Sequence, residues 1–328
     1  MDKIWLLKLI LPWPYGRLLT GLVLLCVLLP VFSLGRSDDI ESTTPALFYS
    51  LIIAYIIPIF SYITAKSQEA LLELRPLLDL DDPACEKLRA RLGSASLLMI
   101  ALQLGSGAIL GFIHLILIHG SALAAVNAAL AGRPGFISAI GALLVWIVMT
   151  TVVSMLIRQA ILFARLGAYH VKVTLLSTRS LLPFARVSIS ASLAIIGALA
   201  LFPLIAIESG MNRMEILPGA IATLVPMLAM FIVPVWPIHR RLVAMKERQL
   251  ASINDRIETR LSGGDSLIPE PDVLEKLGPL LLYRRELARV STWPFDGSNV
   301  TRLLFYLIIP PLTWAGAALI ENLVDWLL

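Results

Sequence analysis

The side chains with the clearest potential for metal binding or nucleophilic chemistry are four histidines and two cysteines. His114 and His119 are five residues apart, so a helix would not place them on one face at the spacing of two metal ligands. Cys26 lies in an apolar stretch and Cys85 in a charged one, and neither has another cysteine nearby. The sequence contains no HExxH, CxxC or P-loop motif. We therefore expect no metal, no cofactor and no disulfide bond.

Serine catalysis inside a membrane would need a serine nucleophile and a histidine base on neighbouring helices. Ser106 and His114 share one apolar stretch and are eight residues apart, so they cannot form that pair. Ser154 or Ser192 could approach His114 from another helix, but no nucleophile motif surrounds either serine. The sequence therefore favours a protein that is not an enzyme.

Acidic residues at the ends of apolar stretches are candidates for ion conduction. Ion-coupled transporters place charged side chains in the middle of the membrane, and no apolar stretch of this chain has one near its centre. Glu208, Glu321 and Asp325, with His114, could instead form an outer vestibule that attracts cations. The exclusion of basic residues from the outer side would leave the same acidic surplus there. Both interpretations stay open.

The composition indicates a membrane protein, since 58% of the residues are apolar, only 15% are charged, and the mean hydropathy is +0.83. A soluble domain is about half apolar and a quarter charged. A helix needs about 20 apolar residues to cross a bilayer. The stretches that approach or exceed this length predict an all-α bundle of about seven transmembrane helices, at residues 17–34, 46–64, 95–118, 136–156, 187–207, 217–238 and 303–318.

The positions of the basic residues predict the orientation. Of the 27 lysines and arginines, 24 fall in residues 1–17, 65–94, 158–186 and 239–302, which are alternate connections between the predicted spans. Basic residues concentrate in cytoplasmic loops. We therefore expect an inner-membrane protein with a cytoplasmic N-terminus and a periplasmic or extracellular C-terminus. The third of these segments has no acid, and we expect contact with anionic lipid headgroups through its five basic residues, Arg158, Arg165, Lys172, Arg179 and Arg186.

Residues 239–302 predict a cytoplasmic amphipathic helical hairpin that turns at Gly263 and Gly264. Its first arm carries Leu250, Ile253 and Ile257 on one stripe. We expect that stripe to dock on a partner surface, either residues 65–94 or a second subunit. The chain would then comprise a bundle of six spans at 1–238, with an N-terminal interfacial helix, followed by the hairpin and a last span with an outer tail at 303–328.

Three features leave alternatives open. Gly107 and Gly111 form a GxxxG pair, which favours close helix packing either within the chain or between subunits. Ser33 and Gly35 are small residues at a spacing that would also suit cleavage of the first span as a signal peptide. Pro310 and Pro311 would either kink the last span or make it re-entrant.

Two segments of the last third, PIHRRLVAMKERQLASIN and WPFDGSNVTRLLFYLIIPPLTW, resemble a pattern found in uncharacterised bacterial multi-pass membrane proteins. The resemblance implies a bacterial origin and a single module formed by the hairpin and last span, and it brings no activity. We expect a non-enzymatic structural or assembly subunit of a homo- or hetero-oligomeric membrane complex. A channel or transporter with proline-kinked helices and a sensor that signals through the hairpin are the alternatives.

Overall fold

The computed structural model describes residues 2–34, 43–201, 204, 225–261 and 271–294, together with residues 301, 305, 308, 312 and 316. The chain is mostly helical, with short strands β1 (Asp2–Lys3) and β2 (Ser94–Ala95). The helices are α1 (Trp5–Lys8), α2 (Gly16–Ser33), α3 (Thr43–Leu74), α4 (Asp82–Leu92), α5 (Leu97–His119), α6 (Ala122–Leu130), α7 (Arg133–Arg165), α8 (Leu182–Leu199), α9 (Trp236–Leu261) and α10 (Pro271–Arg289). Short 3₁₀ segments at Arg75–Leu77 and Leu175–Leu181, and a π turn at Leu166–His170, connect them.

In the part of the chain that the structure describes, six helical segments are long and apolar enough to cross a membrane. They are Gly16–Ser33, Pro45–Leu77, Leu97–His119, Arg133–His170, Thr178–Leu199 and Val225–Leu261. Each overlaps one of the first six predicted spans. The chain is therefore a membrane-embedded, multi-pass helical protein. The seventh predicted span, 303–318, lies almost entirely outside the described residues.

Helices α3 and α7 are longer than the hydrocarbon layer. They contain 32 and 33 residues, which correspond to about 48 and 50 Å, whereas the hydrocarbon core is about 30 Å thick. Their apolar runs end near Lys66 and Arg158. Both helices thus continue beyond that level for about two turns, and their charged ends lead into the connecting segments.

Because of this extension, the described residues form a second large hydrophobic core besides the one within the bundle. The first lies in the bundle, where Phe60 of α3, Val152 of α7 and Ile195 of α8 are almost fully buried. The second joins the projecting ends of α3 and α7 to the connecting segments, and it contains Leu74 and Phe163. The second core fixes the segments around the ends of α3 and α7 in one arrangement.

The GxxxG pair lies in the contact between α5 and α7. A Cβ atom added to Gly107 would come within 2.6 Å of the Ile147 Cα atom, and one added to Gly111 would lie 3.2 Å from the Leu143 Cα atom. Small residues therefore allow the two backbones to approach closely within this chain. Gln103 of α5 adds an interhelical hydrogen bond by donating to the Ser154 hydroxyl at 2.7 Å.

The N-terminus differs from the predicted interfacial helix. Helix α1 is only one turn long, because the preceding residues pair as β1 with β2, with Asp2 opposite Ala95. The amide of Ile4 also donates to the Gly93 carbonyl at 3.2 Å. Backbone pairing with β2 therefore takes the place of helix in the first residues.

Helices α9 and α10 pack against each other. Lys246 of α9 donates to the carbonyls of Ala288 and Val290 at 2.7 and 2.9 Å, and Arg284 of α10 donates to the Asn254 side chain at 2.7 Å. Helix α9 begins at Trp236, so the domain boundary predicted between residues 238 and 239 falls inside it.

Candidate functional site

A cavity of about 640 Å³ lies between α4 and the projecting end of α7. Among the described residues, five lysine, arginine and histidine side chains line it, from Lys87 and Arg91 on α4, Arg158 and Arg165 on α7, and His170 in the π turn. In the part of the chain that the structure describes, the lining contains no aspartate or glutamate. We call this cavity the basic pocket.

The local helix geometry explains how these cations come together. Lys87 and Arg91 are four residues apart on α4, and Arg158 and Arg165 are seven apart on α7, so each pair lies on one helix face. Helix α4 starts beside α3, where the Arg75 Nε atom donates to the Asp82 carboxylate at 3.1 Å. This hydrogen bond and the positive charge of Arg75 hold the pKa of Asp82 below its usual value.

The connection before α4 is also tied to the connection after α7. The amide of Asp79 donates to the His170 carbonyl, and the amide of Lys172 donates to the Leu77 carbonyl, both at 2.8 Å. Helix α9 supports the π turn from the other side, since the Arg241 guanidinium donates to the Gly167 carbonyl at 2.8 Å. These bonds fix the two basic helix faces relative to each other.

A buried polar network connects α7 to α3 next to the pocket. The Gln159 amide nitrogen donates to the Thr64 hydroxyl and to the Leu92 carbonyl, both at 3.1 Å. The Ser67 hydroxyl donates to the Gln159 amide oxygen, also at 3.1 Å. Gln159 is only 3% exposed. The network therefore anchors the helix turn that presents Arg158.

The hydrogen-bond partners of Arg158 are uncharged. One terminal nitrogen lies 2.7 Å from the Met99 sulfur and 3.5 Å from the Ser94 carbonyl. A guanidinium has five N–H donors, and a thioether sulfur is a weak acceptor. Arg158 therefore lines the pocket without a strong acceptor for most of its N–H donors among the described residues.

The five residues predicted to contact headgroups differ in their surroundings. Lys172 pairs with Asp79 at 3.2 Å, and Arg186 pairs with Glu73 at 2.6 Å. Arg179 is exposed in the 3₁₀ segment. Arg158 and Arg165 form no ion pair among the described residues, and both line the basic pocket. The sequence pattern did not distinguish these two arginines from the paired cations.

The other candidate residues do not meet at one site. The imidazole of His114 packs at a tilt on Trp146, with ring centroids 5.6 Å apart, between α5 and α7. Glu208, Glu321 and Asp325, the predicted vestibule residues, lie outside the described residues. Among the described residues, no group of three histidine, cysteine or carboxylate side chains could hold a metal ion.

The predicted docking stripe of α9 packs against other segments of the same chain. Ile253 is 6% exposed and belongs to the second core, and Leu250 and Ile257 pack against that core. They face inward because α9 packs against α7, against the two short helical segments that follow α7, and against α10. The apolar surface that the pair presents outward is on α10, where Leu281, Leu282 and Tyr283 are 50%, 60% and 41% exposed.

Sequence reasoning missed the contribution of α4 and of Gln159. Lys87 and Arg91 were recognisable as an i, i+4 pair beside Leu88, and Gln159 as an amide within the apolar end of α7. Their proximity depends on the tertiary arrangement. No protein-family model, curated protein or solved structure matches the chain.

Proposed function

We propose that this protein is a non-enzymatic assembly subunit of a bacterial inner-membrane complex. The observation that carries the proposal is the outward apolar surface of α10, formed by Leu281, Leu282 and Tyr283. Apolar side chains on a helix that also carries exposed Arg285 and Glu286 favour contact with another chain. The occupant we propose is another membrane-embedded chain, of which a second copy of this protein is the simplest case.

The arrangement of the connecting segments supports the orientation that we propose. The described parts of the four basic segments lie together at one end of the bundle. The β1–β2 pairing joins the first segment to the second, and the second core joins the second, third and fourth segments. A cytoplasmic location for this end agrees with the concentration of basic residues in cytoplasmic loops. The α9–α10 pair is then a cytoplasmic hairpin whose inward face packs on its own chain and whose outward face is available to a partner.

The test places a photocrosslinking amino acid at Leu282 in the full chain and irradiates native membranes. We expect a crosslinked species of higher mass, at twice the mass of the chain for self-association or at another mass for a different subunit. Arg248, which is exposed on α9 and outside the apolar surface of α10, provides the control position. A chain that stays at monomer mass from Leu282, or that crosslinks equally from both positions, would contradict the proposal.

A further inference from the structure

We propose that the basic pocket binds the phosphate headgroup of an anionic phospholipid. This inference concerns a different surface from α10 and does not depend on assembly with another chain. It extends the expected headgroup contact from a diffuse basic strip to one cavity with defined residues on two helices.

The charges that line the basic pocket favour an anion. Lys87, Arg91, Arg158 and Arg165 line one cavity, and no ion pair joins any of them to a carboxylate in the part of the chain that the structure describes. Other cations of the same region do have acidic partners at ion-pair distance, as Lys172 and Arg186 show. Converging like charges repel, so this cavity favours an anion. The guanidinium groups of Arg91, Arg158 and Arg165 suit a phosphate in particular, because a guanidinium can donate two parallel hydrogen bonds to its oxygens.

Apolar side chains line another part of the same cavity. Leu88 of α4 and Met155 and Leu162 of α7 line it beside the cations. Ile161 also lines it and is 40% exposed, and Ile157 lies one turn nearer the bundle at 36% exposure. Ile157 and Ile161 are four residues apart on one face of α7, so exposed apolar side chains lead from the cavity towards the bundle. A cavity with a cationic end and an apolar exit matches an amphiphile with a phosphate group and an acyl chain.

The basic pocket lies where the apolar runs of the bundle end. Arg158 is the first charged residue after the apolar run of α7, and Lys66 occupies the corresponding position on α3. Arg17 of α2 marks the same level, since its Nε atom lies 3.4 Å from the Ser61 hydroxyl of α3. Basic residues at the ends of spans lie among the headgroups. A lipid can therefore enter the pocket laterally without leaving its leaflet.

The test measures binding of dioleoyl phosphatidylglycerol to the delipidated full-length protein in a neutral detergent, by native mass spectrometry. Two pocket variants are compared, Lys87→Gln with Arg91→Gln on α4 and Arg158→Gln with Arg165→Gln on α7. The α4 variant changes two exposed side chains, so it tests the site without altering a buried contact. The matched control is Lys172→Gln with Arg186→Gln, which removes the same charge from cations that have acidic partners. Dioleoyl phosphatidylcholine and inorganic phosphate serve as competitors.

Each basic residue near an anionic lipid contributes roughly a fivefold change in affinity, so each pocket variant should bind phosphatidylglycerol about 25-fold more weakly than the wild type. The control should stay within about twofold of the wild type, and phosphatidylcholine should not compete. Equal losses in control and pocket variants would overturn the proposal in favour of diffuse surface attraction. Displacement by millimolar inorganic phosphate would identify a site for soluble phosphate and overturn the lipid assignment. Absence of retained phosphatidylglycerol on the wild type would also overturn it.

Discussion

The close approach of α5 to α7 predicts a graded response to alanine substitutions in α5. In Gly107→Ala the new methyl group would lie 2.6 Å from the Ile147 Cα atom and 3.2 Å from both the Ile147 nitrogen and the Trp146 carbonyl oxygen. All three are backbone atoms, which cannot rotate away as a side chain can. Carbon atoms pack at about 3.5–4.0 Å, so α5 must move away from α7 by roughly 1 Å.

The expected loss of stability in Gly107→Ala has two sources, the overpacked contact and one stretched hydrogen bond. Forcing an extra carbon into a packed contact costs about 1–3 kcal/mol. The shift also stretches the 2.7 Å bond between Gln103 and Ser154, and such bonds in membranes contribute about 0.6 kcal/mol on average. We expect Gly107→Ala to lower the free energy of unfolding by about 1–3 kcal/mol.

Two other glycines of the same helix provide the comparison. Gly111→Ala would meet the end of the Leu143 side chain at 3.0 Å and its Cα atom at 3.2 Å, so we expect a smaller loss, of about 1 kcal/mol. An added Cβ atom at Gly105 meets nothing within 4 Å, so Gly105→Ala should be neutral or slightly stabilising, by up to about 1 kcal/mol. The assay is unfolding in mixed micelles with increasing sodium dodecyl sulfate, followed by circular dichroism. Equal stability of the Gly107 and Gly105 variants would refute the reasoning.

Three further predictions concern the connecting segments. Gln159→Leu removes three buried hydrogen bonds and should lower the free energy of unfolding by about 2–4 kcal/mol in the same assay, whereas Gln249→Leu on exposed α9 surface should change it by less than about 0.5 kcal/mol. Because Arg75 lowers the pKa of Asp82, this pair stabilises the start of α4 above the usual aspartate value of about 3.9, and the contribution is lost as the pH falls through the lowered pKa. Hydrogen-exchange protection of α4 should therefore fall on acidification in the wild type and less so in Asp82→Asn. Lys246→Met removes the donor to two carbonyls at the end of α10, so exchange there should accelerate, while exchange within α5 should not change.

The lengths of the apolar runs predicted the positions of the long apolar helices well, because a helix that lies in hydrocarbon must be apolar along its whole length. The stretch predicted at 95–118 is the helix Leu97–His119. Hydropathy did not predict that α3 continues to Leu74, because its last turns carry charged side chains and leave the hydrocarbon layer. Those turns remain helical because good helix formers occupy them and the second core buries one face.

The basic pocket was beyond sequence reasoning for a different reason. Charge counting detected a basic segment, but the partners of individual cations depend on contacts between distant segments. Arg186 meets Glu73 from 113 residues away, whereas Arg158 meets the Ser94 carbonyl. The docking stripe of α9 shows the same limit, since an amphipathic pattern predicts that a face is buried and does not say which chain covers it.

The orientation of the chain underlies both proposals, and cysteine labelling tests it most directly. In a variant without Cys26 and Cys85, single cysteines replace Arg133 at the start of α7 and Arg179 beyond its end, both of which are exposed. A membrane-impermeant maleimide applied to intact cells, with the outer membrane permeabilised where there is one, should label the Arg133→Cys variant. It should label the Arg179→Cys variant only after the inner membrane is opened. Labelling of Arg179→Cys in intact cells with protection of Arg133→Cys would contradict the account, because the pocket and the α9–α10 pair would then lie outside.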